Sequence, residues 1–248
     1  MIVVAPLVLV PGLALGSFLS VVAARVPLRR SIVRPGSACM SCETPIRWYD
    51  NVPLLSYALL GGRCRRCHTS ISPRDPAMEL ATALLLVGCV LAFGFTGKAA
   101  AAAVACAALV VVTATDLERR VVPDRVILPA AAAVLVLRTI ANPSPEWALG
   151  ALGAAGFLFL AVLAYPGGMG MGDVKLALMI GALLGVTAAV ALMLGLLFAL
   201  LPSLVLIVRH GRRARRMAIP FAPFLAAGTV VALFAGGYLL HLYLGTLS

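Results

Sequence analysis

Two aspartates and four cysteines are the residues whose types and spacing could do chemistry. Asp116 closes the apolar run "VVTATDLERR", and Asp173 stands among glycines in "GGMGMGDVKLAL", just before another apolar run. A carboxylate at a helix C-terminus meets the negative end of the macrodipole, so capping does not account for Asp116. Asp173 taken alone reads equally well as an ordinary N-cap. Two carboxyl groups that meet away from water can divide acid–base work: one keeps a proton and acts as acid, the other activates water. The cysteines come as "CMSC" (39–42) and "CRRC" (64–67), two C-x2-C pairs with 21 residues between them. Each turn offers two thiolates, and two turns close a tetrahedral site, for which a structural zinc ion is the first choice. Four thiolates complete that site without His68. Cys89 and Cys106 lie in apolar runs and read as packing residues.

Such residues need elements to hold them. The chain has 248 residues, 62% hydrophobic and 12% charged, whereas a soluble domain is about a quarter charged. Repeated apolar runs near the ~20 residues that span a bilayer indicate an all-α polytopic membrane protein. The N-terminal run lacks the basic start of a secretory signal and reads as a first transmembrane helix that stays. Eight spans are expected, at about 2–24, 77–95, 99–115, 124–140, 147–165, 173–185, 187–208 and 220–243. Residues 176–208 carry no charge for 33 positions, too long for one span, and are expected to form a hairpin of two short helices turning near Gly185.

Positive charge sets the orientation. Of the 20 Lys and Arg, nine lie in 25–74, three in 119–125, one at Lys175 and five in 209–216; only Lys98 and Arg138 fall elsewhere. This bias fits an N-out, C-out chain with the alternate loops cytoplasmic. The net charge of +11 then reads as a topology signal facing anionic lipid, and no nucleic-acid partner is expected. The expected organisation is a first transmembrane helix (1–24), a cytoplasmic zinc-binding insertion (25–76) and a seven-helix membrane domain (77–248). No internal repeat is expected.

The other acids have ordinary readings. Glu43, Asp50 and Asp75 belong to the surface of the insertion. Glu79 sits at the start of the second span, where the helix dipole favours it. Asp124 is expected to cap the fourth span, Glu118 to pair with Arg119 or Arg120, and Glu146 to lie in an external loop. Asp116 and Asp173 differ from these because both fall at the same cytoplasmic boundary, the third span running inward and the sixth outward. Ionisable groups at that depth are costly and usually functional.

The motif "GMGD" (170–173) is similar to the G-x-G-D of intramembrane aspartyl proteases. Taken with "GSFLSVVAARVP" (16–27), "SCETPIRWYDNVPLLSYALLGGRCRRC" (41–67), "DLERRVVPDRVILP" (116–129) and "IPFAPFL" (219–225), the chain resembles the bifunctional bacterial type IV prepilin leader peptidases. The resemblance runs from the first span to the last and departs at Ser20 and Met40. It implies a protease of the bacterial inner membrane that cuts the basic leader from prepilins and pseudopilins after a glycine. Asp116 and Asp173 would be its catalytic pair at the cytoplasmic boundary, and Cys39, Cys42, Cys64 and Cys67 its zinc ligands. It also implies N-methylation of the new N-terminus by S-adenosylmethionine, an activity associated with the insertion. No Gly-rich cofactor fingerprint is present, and no residue is assigned to that donor. The arginines of the insertion would face anionic lipid, leaving acids such as Glu43 or Asp50 to meet the leader. A proton-coupled transporter using the acids as a relay and an inactive pilus-assembly scaffold are the alternatives.

Overall fold

The structure, a computed structural model, describes residues 4–34, 36–165, 169–211 and 219–245. Gly167 and Gly168 of the glycine-rich stretch, and Arg212, Arg213, Arg215 and Arg216 of the last basic run, lie outside the described residues. The described residues are helical, with no strand and only two isolated bridges, Ala38 with Pro45 and Arg63 with Ser70. In chain order the helices are α1 (Val4–Arg25), α2 (Leu55–Leu59), α3 (Arg74–Phe93), α4 (Gly97–Arg119), α5 (Asp124–Ala141), α6 (Glu146–Ala164), α7 (Met171–Leu184), α8 (Ala188–His210) and α9 (Ala222–Gly245).

Eight of these correspond to the eight expected spans, to within a few residues at each end. Among the described residues, six segments are long and apolar enough to cross a membrane: Ala5–Leu28, Arg74–Phe93, Gly97–Arg119, Glu146–Ala164, Met171–Arg209 and Ala222–Leu239. The fifth of these contains both α7 and α8. Helix α5 is not among them, since it carries Asp124, Arg125 and Arg138 within 18 residues. The chain is thus an all-α, multi-pass membrane protein, with six such segments among the described residues against the eight crossings expected. The long apolar run breaks where expected: α7 stops at Leu184, Gly185 takes φ 58, and a single 3-10 turn leads into α8.

The chain divides into two compact units, Met1–Gly94 and Phe95–Ser248. In the first, α1 packs on α3. Gly12 and Gly16 make this possible: a Cβ at Gly12 would lie 2.8 Å from Ala83 Cα, and one at Gly16 would lie 2.5 Å from Glu79 Cα. Small residues four apart are a usual way for membrane helices to approach closely. The insertion between α1 and α3 holds the short helix α2 and the four cysteines.

In the second unit, α4 packs on α5 and α9, α5 on α7, α6 on α7, and α8 on α9. The core is built from small and β-branched side chains such as Ala105, Val111, Val112 and Val134, with Ile127, Leu176 and Ile180 also fully buried. Cys89 and Cys106 are buried, as expected of packing residues. Helix α4 runs past Asp116 to Arg119 and ends where Arg120 adopts the left-handed conformation at φ 55. Asp116 therefore lies in the last turn of α4, short of its end.

Candidate active site and cysteine cluster

Asp116 and Asp173 are both buried, at 7% and 8% exposure. Each belongs to a terminal turn, α4's last and α7's first, and α4 and α7 are in contact. Asp173 is not the N-cap of its helix. Gly170 holds that place, and Asp173 sits three residues further in. Its Oδ2 accepts the Gly170 N–H at 3.3 Å, while its own N–H donates to the Gly170 carbonyl at 3.1 Å. One side of the carboxylate thus closes the helix start.

Asp116 is held from elsewhere in the sequence. Its Oδ2 accepts the backbone N–H of Ala222 at 3.0 Å. Ala222 opens α9, whose first turn is closed by hydrogen bonds from Phe224 N–H and Leu225 N–H to the Phe221 carbonyl. An N-terminal backbone donor at a helix start is a natural partner for a carboxylate. Nothing in the spacing of "IPFAPFL" predicted this contact.

The segment that opens α5 packs against the start of α7, beside Asp173. Val122 fills the space beside Gly172, where a Cβ would fall 2.7 Å from Val122 Cβ. Asp124 makes no side-chain cap, because Pro123 holds the N-cap place; its Oδ1 accepts instead from Lys175 Nζ at 2.6 Å. The expectation of a capping Asp124 fails because the helix starts at this residue, so its side chain points to a neighbour on α7. A packing contact and an ion pair thus join the chain just after Asp116 to the turn that carries Asp173. An apolar cavity of about 480 Å³ near Gly150, Gly185 and Leu192 contains neither aspartate.

The four cysteines converge. Their sulfur atoms all lie within 4.8 Å of one another, and Cys39 Sγ is 3.7 Å from Cys67 Sγ. A tetrahedral ion with metal–sulfur bonds of ~2.3 Å has sulfur–sulfur edges of ~3.8 Å, so the cluster could hold a metal ion. Each pair sits in a matching turn, "CMSCET" (39–44) and "CRRCHT" (64–69), a short repeat contrary to expectation. In each turn the first cysteine's N–H donates to the threonine carbonyl, and the fifth residue's N–H donates back to the first cysteine's carbonyl. That fifth residue, Glu43 or His68, has positive φ, 54 and 56 respectively. His68 is therefore a turn residue and not part of the cluster.

The threonine of each turn also reaches sulfur: Thr44 Oγ1 is 3.4 Å from Cys42 Sγ, and Thr69 Oγ1 is 3.3 Å from Cys67 Sγ. These hydroxyls hold the Cys42 and Cys67 thiols below their usual value, and the Cys67 backbone N–H does the same for Cys64. Cys39 moves the other way: the Cys42 and Ser41 backbone donors lower it, but burial and the neighbouring thiols outweigh them. Three of the four sites thus favour the thiolate form that a metal needs.

The sequence also matches known proteins. Residues 10–93 match the family model for the bacterial peptidase A24 N-terminal domain, and residues 103–208 match that for the type IV leader peptidase family. The prepilin leader peptidase/N-methyltransferase of Bacillus subtilis (strain 168) is 37% identical over 240 residues, covering 94% of this chain and 95% of the relative. The proteins of the same name from Burkholderia pseudomallei (strain 1026b) and Pseudomonas aeruginosa (strain PAO1) are 35% and 34% identical, covering 92% and 94% of this chain and 84% and 91% of the relatives. No solved structure matches.

The chain belongs to the type IV leader peptidase family.

Several acids of this family member differ from their expected roles. Asp50 is not a free surface charge. Arg65 grips it, with Nη2 donating to Oδ1 at 2.6 Å and Nε at 3.0 Å to Oδ2, and this contact holds the Asp50 carboxyl below the usual range. Glu146 opens α6, and its Oε1 accepts the Val186 N–H at 3.3 Å. Glu79 lies a turn beyond the start of α3, too deep for the dipole of the first turn, and is buried. Arg138, one of the two positive charges outside the expected cytoplasmic loops, is buried with its guanidinium 3.7 Å over the Trp147 ring. Sequence spacing gave no sign of that cation–π stack, because it joins the end of α5 to the start of α6.

Proposed function

We propose that this protein cuts the leader from type IV prepilins and pseudopilins after a glycine, with Asp116 and Asp173 as its catalytic pair. The observation that supports this reading is that two carboxyl groups far apart in sequence are both buried, in the terminal turns of the contacting helices α4 and α7. The names of the relatives support the choice of substrate. One carboxylate takes a proton from water as the water attacks the carbonyl carbon of the scissile glycine. The protonated partner hydrogen-bonds the tetrahedral oxygen. Collapse breaks the C–N bond, and a proton passes to the departing amine. The transporter and scaffold alternatives are not favoured, given the family membership.

The proposal extends to the rest of the chain. Cys39, Cys42, Cys64 and Cys67 would hold zinc, which supplies a structural staple and no open position for a catalytic water. The insertion (25–76) would serve N-methylation of the new N-terminus, with S-adenosylmethionine as donor, while 1–24 is the first transmembrane helix and 77–248 the peptidase. Unit 1 has no strand-to-helix glycine turn among its described residues, so no residue is assigned to the donor. The protein would lie in the bacterial inner membrane, N-out and C-out, with the basic insertion against anionic lipid and the aspartates at the cytoplasmic boundary. The deciding experiment incubates purified protein with a prepilin and S-adenosylmethionine and weighs the product N-terminus. An uncut prepilin would sink the peptidase reading, and a cut but unmethylated one the methylation reading alone.

A further inference from the structure

Glu79 is a buried carboxylate that hydrolysis does not use. It stands on α3 at 8% exposure. On one side Gly16 of α1 lies so close that a Cβ there would be 2.5 Å from Glu79 Cα. On the other, Glu79 Oε2 accepts the backbone N–H of Leu54, 25 residues earlier, at 2.8 Å. Leu54 is itself unusual, with φ 58 and ψ −46. The Leu55 N–H donates to the Pro53 carbonyl at 2.6 Å, closing a three-residue turn with a branched residue at positive φ at its centre. Turns of this hand are rare and strained, and such strain persists only where the surroundings hold it.

Two unfavourable features therefore meet in one hydrogen bond: a carboxylate buried in an apolar helix and a strained turn. A loop amide that only needed an acceptor could find a carbonyl or water at far lower cost. What the contact achieves is attachment. The Leu54 carbonyl accepts from Ala58 and so begins α2, and the Tyr57 ring in α2 packs under Gly62, two residues before Cys64. The geometry points to Glu79 as a latch that fixes the 50–57 loop, and with it the cysteine turns, against α1 and α3: a positioning residue for methyl transfer and not for hydrolysis. This inference rests on the methyl-transfer reading of the insertion proposed above.

The test compares Glu79→Met, which keeps the shape and removes the acceptor, with Glu79→Gln, whose amide oxygen still accepts the Leu54 N–H. Full-length protein in liposomes is given a prepilin and S-adenosylmethionine. Mass spectrometry reads cleaved and methylated product separately, and metal content and hydrogen exchange at Leu54 are measured on the same preparations. In Glu79→Met the methylated fraction should fall roughly tenfold or more through misplacement, with cleavage within about twofold of wild type and the metal retained. Exchange at Leu54 should quicken by about tenfold for the lost hydrogen bond. Glu79→Gln should restore both methylation and protection. Wild-type methylation by Glu79→Met, equal damage in Glu79→Gln, or loss of metal together with methylation would each overturn the latch. A wild-type protein that cleaves without methylating would refute the underlying reading separately. Leu54 exchange would then decide the latch by itself, unchanged protection in Glu79→Met overturning it.

Discussion

Val122 occupies the space that a side chain at Gly172 would need, its Cβ only 2.7 Å and its Cγ2 3.0 Å from where a Gly172 Cβ would fall. Gly172 immediately precedes Asp173, and Val122 follows Asp116 by one short connection after α4. The second glycine of "GMGD" is thus required by close packing between the two segments that bear the carboxyl groups. Its backbone is helical, so left-handed freedom is not the reason for it.

Gly172→Ala should therefore lower cleavage by roughly tenfold to a hundredfold, the usual effect of a shift of about 1 Å in a catalytic group. Helix propensity works the other way, since Ala is the better helix former by ~1 kcal/mol, so general destabilisation is not the expected cause. Adding Val122→Ala should recover much of the loss. Prepilin cleavage by the single and double variants checks this; a fully active Gly172→Ala would show that the contact does not set the site.

Asp116→Asn and Asp173→Asn should each abolish cleavage while the protein stays folded and inserted. Asp124→Asn is the contrasting case. It breaks the ion pair with Lys175, but both side chains are substantially exposed, and such pairs contribute only about 0–1 kcal/mol. Most of the activity should survive. Near-normal cleavage by either catalytic variant in a purified assay would remove the pair from the mechanism.

Cys64→Ser should release zinc and unfold the insertion, because metal affinity supplies most of the folding free energy of so small a module. Methylation should fall first, and hydrolysis only as far as the insertion positions substrate. Protons compete with metal for thiolates, so occupancy should decline as pH drops. Thr69→Val removes a hydroxyl that lowers the Cys67 thiol, and zinc should then leave at a higher pH than in wild type. Metal analysis across a pH series reads both effects. Retention of one zinc per chain in Cys64→Ser would refute the ligand set.

The turn between α7 and α8 should face the outside. Gly185 is a poor place for a reporter: its φ is 58, and a Cβ there would lie 2.3 Å from Glu146 Oε1. Val186 is 65% exposed, so Val186→Cys in a background without other accessible thiols should react with an impermeant reagent added externally. Labelling only from the cytoplasmic side would reverse the proposed orientation.

The helices were readable in the sequence because apolar runs end at charges, prolines and glycines, and those ends are local. The aspartates stood out by their expected common depth in so apolar a chain, and both are buried in the structure. The repeated cysteine turn is also present in "CMSCET" and "CRRCHT", but the part the threonines play depends on backbone and hydroxyl contacts that form only in the folded turn. What could not be read depends on which helix lies beside which. Spacing says nothing of Arg138 meeting Trp147, of Lys175 reaching Asp124, or of Glu79 taking the Leu54 amide. Asp124 and Glu146 look like loop or cap acids until a neighbouring helix supplies their partner.

Asp116 takes its backbone donor from Ala222, 106 residues downstream, and this bears on how small a working protease could be made. The matched peptidase region stops at residue 208, and both aspartates lie inside it. A chain shortened to that boundary would keep the whole motif and every acid proposed to act. It would still lack the amide that holds one of them, so on the proposed pairing the last helix serves the site through its backbone N–H.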